Sequence, residues 1–216
     1  MRSDLPLARE ARSASSIGRV ADTKQTKTIG EFAVASELAR RGWAPALTRD
    51  GLERTDILAV RVDDDADRTM VEVQVKSAMA RSARVTWPIG TKAQGPSKSD
   101  HEFFVMVAVP VDANARPEFF IVPRIHVAAA AWIEHEDWRT APGIPAGKRN
   151  ARADQARTGI ETFRAYQDRW DLLERPQSEV PVLLPARFHA LALDQRVGLP
   201  PGHELHEALP PLEAWA

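Results

Sequence analysis

Seven residues, Val71 to Ser77, constrain this chain more than any other stretch. They read Val-Glu-Val-Gln-Val-Lys-Ser. Successive side chains of a strand point to opposite faces, so Val71, Val73 and Val75 go one way and Glu72, Gln74 and Lys76 the other. Three β-branched valines also disfavour a helix here. The expectation is a strand with a valine face in the core. Its other face aligns an acid, an amide and a lysine, with next-nearest neighbours about 7 Å apart. The ordinary alternative is an amphipathic strand whose polar face is simply wet.

The flanking sequence places this strand in an α/β domain. Thr28 to Arg41 reads as a first helix, rich in good helix formers and stopped by Gly42. Thr28-Ile29-Gly30-Glu31 has the spacing of a capping box, which gives Glu31 a structural reading. Glu31, Ala35 and Leu38 also fall at i, i+4 and i+7, so Glu31 closes one end of an apolar stripe and can reach a site on a neighbouring sheet. Trp43–Thr48 reads as a short strand and Arg49-Asp50-Gly51 as a turn. Asp56–Val62 is a mostly apolar strand with Asp56 at its mouth. The acidic tip Asp63–Asp67 then joins it antiparallel to Val71–Ser77. That tip lacks the Gly and distal Glu of a calcium loop.

Glu102–Val109 is a continuous apolar run, expected as a central strand buried on both faces. Phe119–Val122 is a further strand and Ile125–Trp138 an alanine-rich helix. Phe163, Tyr166, Trp170, Leu172 and Leu173 are expected to pack on the sheet. Residues 1–25 read as a loose basic N-terminal arm, 26–174 as the domain and 175–216 as a proline-rich appendage. Seven of the sixteen prolines lie between Pro176 and Pro211. A short helix is expected within Ala186–Val197. The appendage is expected to wrap the domain or to meet another protein or chain.

Composition enters as a set of exclusions. With 29 Lys+Arg against 30 Asp+Glu, the net charge is −1, so only local charge can mark a nucleic-acid partner. Two places do. From Val73 to Ser99 there is no Asp or Glu, while Lys76, Arg81, Arg84, Lys92 and Lys98 give +5. Lys148, Arg149, Arg152 and Arg157 against Asp154 give +3. A flexible basic loop leaving the polar face of a strand is suited to phosphate contacts. The chain has no cysteine, which excludes disulfides, thiolate metal sites and thiol nucleophiles and fits a cytoplasmic protein. No apolar run reaches membrane-spanning length, and the arginine-containing N-terminus lacks the apolar core of a secretory signal. His101, His126 and His135 accompany no nucleophile motif, and no Walker loop is present.

Asp56, a hairpin, then Gln74-Val75-Lys76, preceded by Glu31 in a helix opening Thr-Ile-Gly-Glu, resembles the PD-(D/E)XK nuclease superfamily. The likeness is strongest to the Gln-x-Lys variant found in a group I intron homing endonuclease and related bacterial proteins. It covers roughly Lys27 to Leu173. The resemblance implies a restriction-endonuclease-like αβββαβ core, with a central mixed sheet flanked by helices. It implies a Mg²⁺- or Mn²⁺-dependent endonuclease acting on DNA. Asp56, Gln74 and the Val75 main-chain carbonyl would hold the metal, with Glu31 and Glu72 as further donors. Lys76 would position the attacking water. Arg81, Arg84, Lys92, Lys98, Lys148, Arg149 and Arg152 would contact the nucleic acid. Many such nucleases dimerise to cut both strands, so a homodimer is a further expected form. The chain departs from the pattern at Thr55, where the family has Pro, and at Gln74, where it usually has an acid. The alternative is therefore a nucleic-acid-binding module of the same fold with weakened catalysis. An interaction domain whose acids are surface groups is the third reading; it predicts no salt-dependent DNA binding.

Overall fold

The computed structural model describes residues 22–48, 52–62, 68–145, 147–199 and 202–206. It is an α/β fold around a five-stranded mixed sheet. The elements that build it are α1 (Thr23–Arg40), β1 (Ala44–Leu47), β2 (Ile57–Val62), β3 (Arg68–Ala80), β4 (Thr86–Pro88), the short α2 (Thr91–Gln94), β5 (Glu102–Pro110), β6 (Glu118–Pro123) and α3 (Arg124–Arg139). The sheet order is β1-β2-β3-β5-β6; β3 and β5 are parallel, and every other neighbouring pair is antiparallel. Val71–Ser77 thus lies in the middle strand.

The valine alternation has the expected consequence: Val71 and Val73 are fully buried and Val75 nearly so. Glu72, Gln74 and Lys76 are half-buried rather than wet, because helices cover both faces of the sheet. On the valine face, α1 lies so close that a Cβ on Gly30 would sit 2.9 Å from Ser77 Cβ and 3.4 Å from Val75 Cγ1. On the other face, Arg124 at the start of α3 reaches Gln74. The run 103–109 of β5 is buried throughout. Gly30→Ala is therefore expected to lower stability by about 1–3 kcal/mol through overpacking. An unchanged urea midpoint would remove the close approach of α1 to β3 as the reason for glycine there.

Three expectations change. The first helix starts five residues early. Asp22 is its N-cap, with Asp22 accepting from the Gln25 N–H and Gln25 closing the capping box, so Thr28–Glu31 lies in mid-helix and Glu31 caps nothing. Thr23–Gln25 accordingly belong to α1 rather than to an arm; the rest of that arm, residues 1–21, lies outside the described residues, as do the turn at 49–51 and the acidic tip at 63–67. The basic segment after β3 is not a free loop. Trp87 and Ile89 are fully buried, the Trp87 indole N–H donates to the Val107 carbonyl at 3.1 Å, and β4 pairs antiparallel with β7 (Arg157–Gly159).

The described part of 175–206 folds onto the same core. Val180, Val182, Leu183, Leu184, Phe188 and Val197 are buried in it. Gln177 is buried as well, and its side-chain amide donates to the Ser99 carbonyl at 2.8 Å. α4 (Arg187–Leu193) is the short helix expected there. No described helix is long and apolar enough to cross a membrane.

Candidate metal and nucleic-acid site

The β2–β3 register fixes the geometry of the site. Ile57 pairs with Val73, so Asp56, one residue before β2, falls beside Gln74. Its main-chain N–H donates to the Val73 carbonyl at 2.9 Å. Its side chain turns toward β3, where Oδ2 accepts the Val75 N–H at 2.8 Å. β2 has ended at this point, so the carboxylate takes the place of a ladder partner. A strand residue directs its N–H and C=O to the same edge, so the Val75 carbonyl faces this side too.

Glu31 comes to the same place from α1. The Lys27 ammonium lies 3.3 Å from Glu31 Oε1 and 3.9 Å from Asp56 Oδ1, which puts these two carboxylate oxygens within about 7 Å of each other. Glu31 and Asp56 line one cleft of about 410 Å³ with Lys24, Lys27, Phe32 and Thr48. Gln74 and Lys76 lie outside the lining of that cleft. Burial pulls the Lys76 ammonium below its ordinary pKa; the Asp56 carboxylate opposes this, and the charges of Arg124 and Lys27 reinforce it.

The other polar groups of β3 are engaged. Gln74 Oε1 accepts from Arg124 at 3.0 Å. Glu72 accepts from the Thr55 hydroxyl at 2.9 Å and from the Ser99 hydroxyl at 3.2 Å. Thr55 is thus tied to β3. Arg124 itself is buried beside Glu102, and Glu102 also accepts from Arg54 at 3.2 Å. Burial lowers the Arg124 guanidinium to about 10, with Glu102 acting against the shift.

Compared with family models, curated proteins and solved structures, the chain matches none. Among the described residues, no three His, Cys, Asp or Glu side chains converge on one point. At this cleft two carboxylates approach each other, Glu31 and Asp56. Two side chains that matter here were not singled out from the sequence. Lys27 had a signal, the i,i+4 spacing to Glu31. Arg124 had none, because its partners Glu102 and Gln74 are distant in sequence. Of the basic residues, Arg81, Arg84, Lys98, Lys148 and Arg152 are exposed. Lys92 pairs with Glu53 at 2.6 Å, and Arg149 lies over the Trp138 ring.

Proposed function

We propose that the chain is a Mg²⁺- or Mn²⁺-dependent DNA endonuclease of the PD-(D/E)XK class, hydrolysing phosphodiester bonds where Glu31, Asp56 and Lys76 meet. The single observation that carries this reading is the common position of Glu31 and Asp56 around Lys27, with the half-buried Lys76 ammonium in the field of Asp56. The proposal extends to the fold, a restriction-endonuclease-like core, and the β1–β2–β3 meander with parallel β5 supports it. The crossover between β3 and β5 here holds β4 and α2 in place of a long helix.

Asp56 and Glu31 would hold the ion, with the Val75 carbonyl and the second lone pair of the Gln74 amide oxygen completing an all-oxygen donor set. Hard divalent cations prefer such donors. When bound, the ion supplies Lewis-acid polarisation of the phosphodiester and acidifies water. The Lys27 ammonium pairs with both carboxylates and would have to swing aside for the ion, since a like charge between them opposes a cation. Lys76 orients the attacking water, and its lowered pKa eases the exchange of a proton at Nζ. Arg81, Arg84 and Lys98, exposed on the segment that follows β3, would take backbone phosphates.

The test is incubation with supercoiled plasmid and with branched DNA, with Mg²⁺ or Mn²⁺ and with EDTA. Nicking that chelation abolishes is expected. The second reading, a binding module, is favoured by Gln74, whose oxygen is already held by Arg124. Salt-dependent binding without cleavage under either metal would select it. Absence of both binding and cleavage would overturn both readings.

A further inference from the structure

A second cavity lies away from this site. It encloses about 720 Å³ at the far end of α3, next to β7 and α4. Arg124, which touches Gln74, and Trp138, which lines the cavity, are 14 residues apart on α3. At 1.5 Å per residue the two ends are about 20 Å apart. The volume is within the range that holds a drug-sized ligand, roughly 300–1,000 Å³.

The wall combines groups that no ordinary core needs. Trp138 is 44% exposed, and the Arg149 guanidinium lies 5.1 Å from the centre of its ring. The guanidinium covers one face of the indole, and nucleobases stack on guanidinium planes as well as on aromatic faces. Phe188 supplies a buried apolar wall. Arg157 is exposed, and its guanidinium has no hydrogen-bond or ion-pair partner among the described residues. Arg187 also lines the cavity and sits 3.9 Å from Glu134. Glu134 is the counterpoint: its carboxylate accepts the Thr162 hydroxyl, and burial pushes its pKa up. Asp137 also lines the cavity but is paired with Arg196 at 2.6 Å. Three arginines, Arg149, Arg157 and Arg187, against Glu134 and this neutralised Asp137 leave the wall attractive to an anion. A carboxyl among them gives N–H donors of the ligand a partner, which a bare phosphate cannot use.

We propose that this cavity binds a nucleotide: its base on the Trp138–Arg149 platform, its phosphate at Arg157 and Arg187, and an amino group of the base at Glu134. The ligand chemistry is that of a 5′-phosphorylated nucleotide, whether free or at the end of a strand. The site does not depend on the nuclease reading and uses none of its metal-site residues; Arg149 alone is shared with the nucleic-acid contacts expected from the sequence.

Calorimetric titration of the full chain with dAMP, dCMP, deoxyadenosine, inorganic phosphate and a 5′-phosphorylated trinucleotide tests it, together with the Trp138 indole N–H resonance. The nucleotides should bind and shift that resonance. Deoxyadenosine and phosphate should each bind at least about tenfold more weakly, because each lacks half of the contacts. Trp138→Ala and Arg157→Ala alter exposed side chains; each should weaken dAMP about tenfold, whereas Trp138→Phe should retain most of the affinity. Lys76→Ala should leave binding unchanged, which separates this site from the other. Equal affinity for dAMP and the trinucleotide would assign a free nucleotide. A tighter trinucleotide that loses its advantage in Trp138→Ala would assign a strand end. No heat and no resonance shift at millimolar dAMP, or binding unaltered in both alanine variants, would overturn the proposal.

Discussion

Asp56→Asn and Lys76→Ala should each reduce metal-dependent nicking of plasmid at least about 100-fold, the lower end of what a positioned proton-transfer group contributes. DNA binding and thermal stability should stay close to those of the parent chain. The choice of substitutions makes this interpretable. The Asp56 carboxylate has a structural duty, accepting the Val75 N–H at 2.8 Å. Alanine would orphan that amide at a cost of about 1–3 kcal/mol, confusing unfolding with lost chemistry. Asparagine keeps an acceptor oxygen and removes only the charge. Lys76 is the reverse case. Burial disfavours its charged form, so alanine relieves a desolvated ammonium and offsets the lost stem contacts. A variant that stays folded, binds DNA and fails to nick would locate the chemistry. Cleavage unchanged in either variant would sink the site as assigned.

How much of this was legible in the sequence depended on how local each signal is. The alternation at Val71–Ser77 is carried by neighbouring residues, and its burial follows from strand geometry alone. The hairpin pairing of β2 with β3 was legible for the same reason, and it set Asp56 beside Gln74. The start of α1 was misread because capping signals are degenerate. Asp22 and Gln25 fit the pattern of a short polar residue followed three positions later by Glu or Gln as well as Thr28 and Glu31 do. The choice of the earlier pair puts Lys27 inside the helix, one turn from Glu31.

The basic segment after β3 was misread for a different reason. Its order comes from partners far away: Trp87 pairs with Thr158 and donates its indole N–H to Val107. Nothing local announces such contacts. Glu72 shows the same limit. Its residue type and strand face made it a candidate donor, yet the fold commits it to Thr55 and Ser99. The nucleotide cavity is likewise assembled from residues spread between Glu134 and Leu191.

The Arg124–Glu102 pair, invisible in the sequence, gives the largest expected change in stability. Arg124→Met should lower unfolding free energy by about 3–5 kcal/mol, because removing one member of a buried ion pair strands the other charge. The two side chains are only 2% and 5% exposed, so water cannot take over. Glu102 would keep Arg54 and the main-chain N–H groups of Lys98 and Ser99, which moderates the loss without cancelling it. Glu102→Gln should also be costly, since it leaves Arg124 and Arg54 facing each other with only the more distant Glu72 carboxylate to offset them. The double variant should lose less than the two single losses combined, with a coupling of about 0.5–3 kcal/mol, because its second change removes a charge already stranded. Urea unfolding of the parent and the three variants measures that cycle. Simple additivity would show that the pair is not coupled. The same cycle bears on function: Arg124 also holds the Gln74 amide oxygen, so Arg124→Met should weaken nicking under conditions where the variant remains folded. If nicking were unaffected while stability fell, Gln74 would need no anchor and its place in the donor set would be lost.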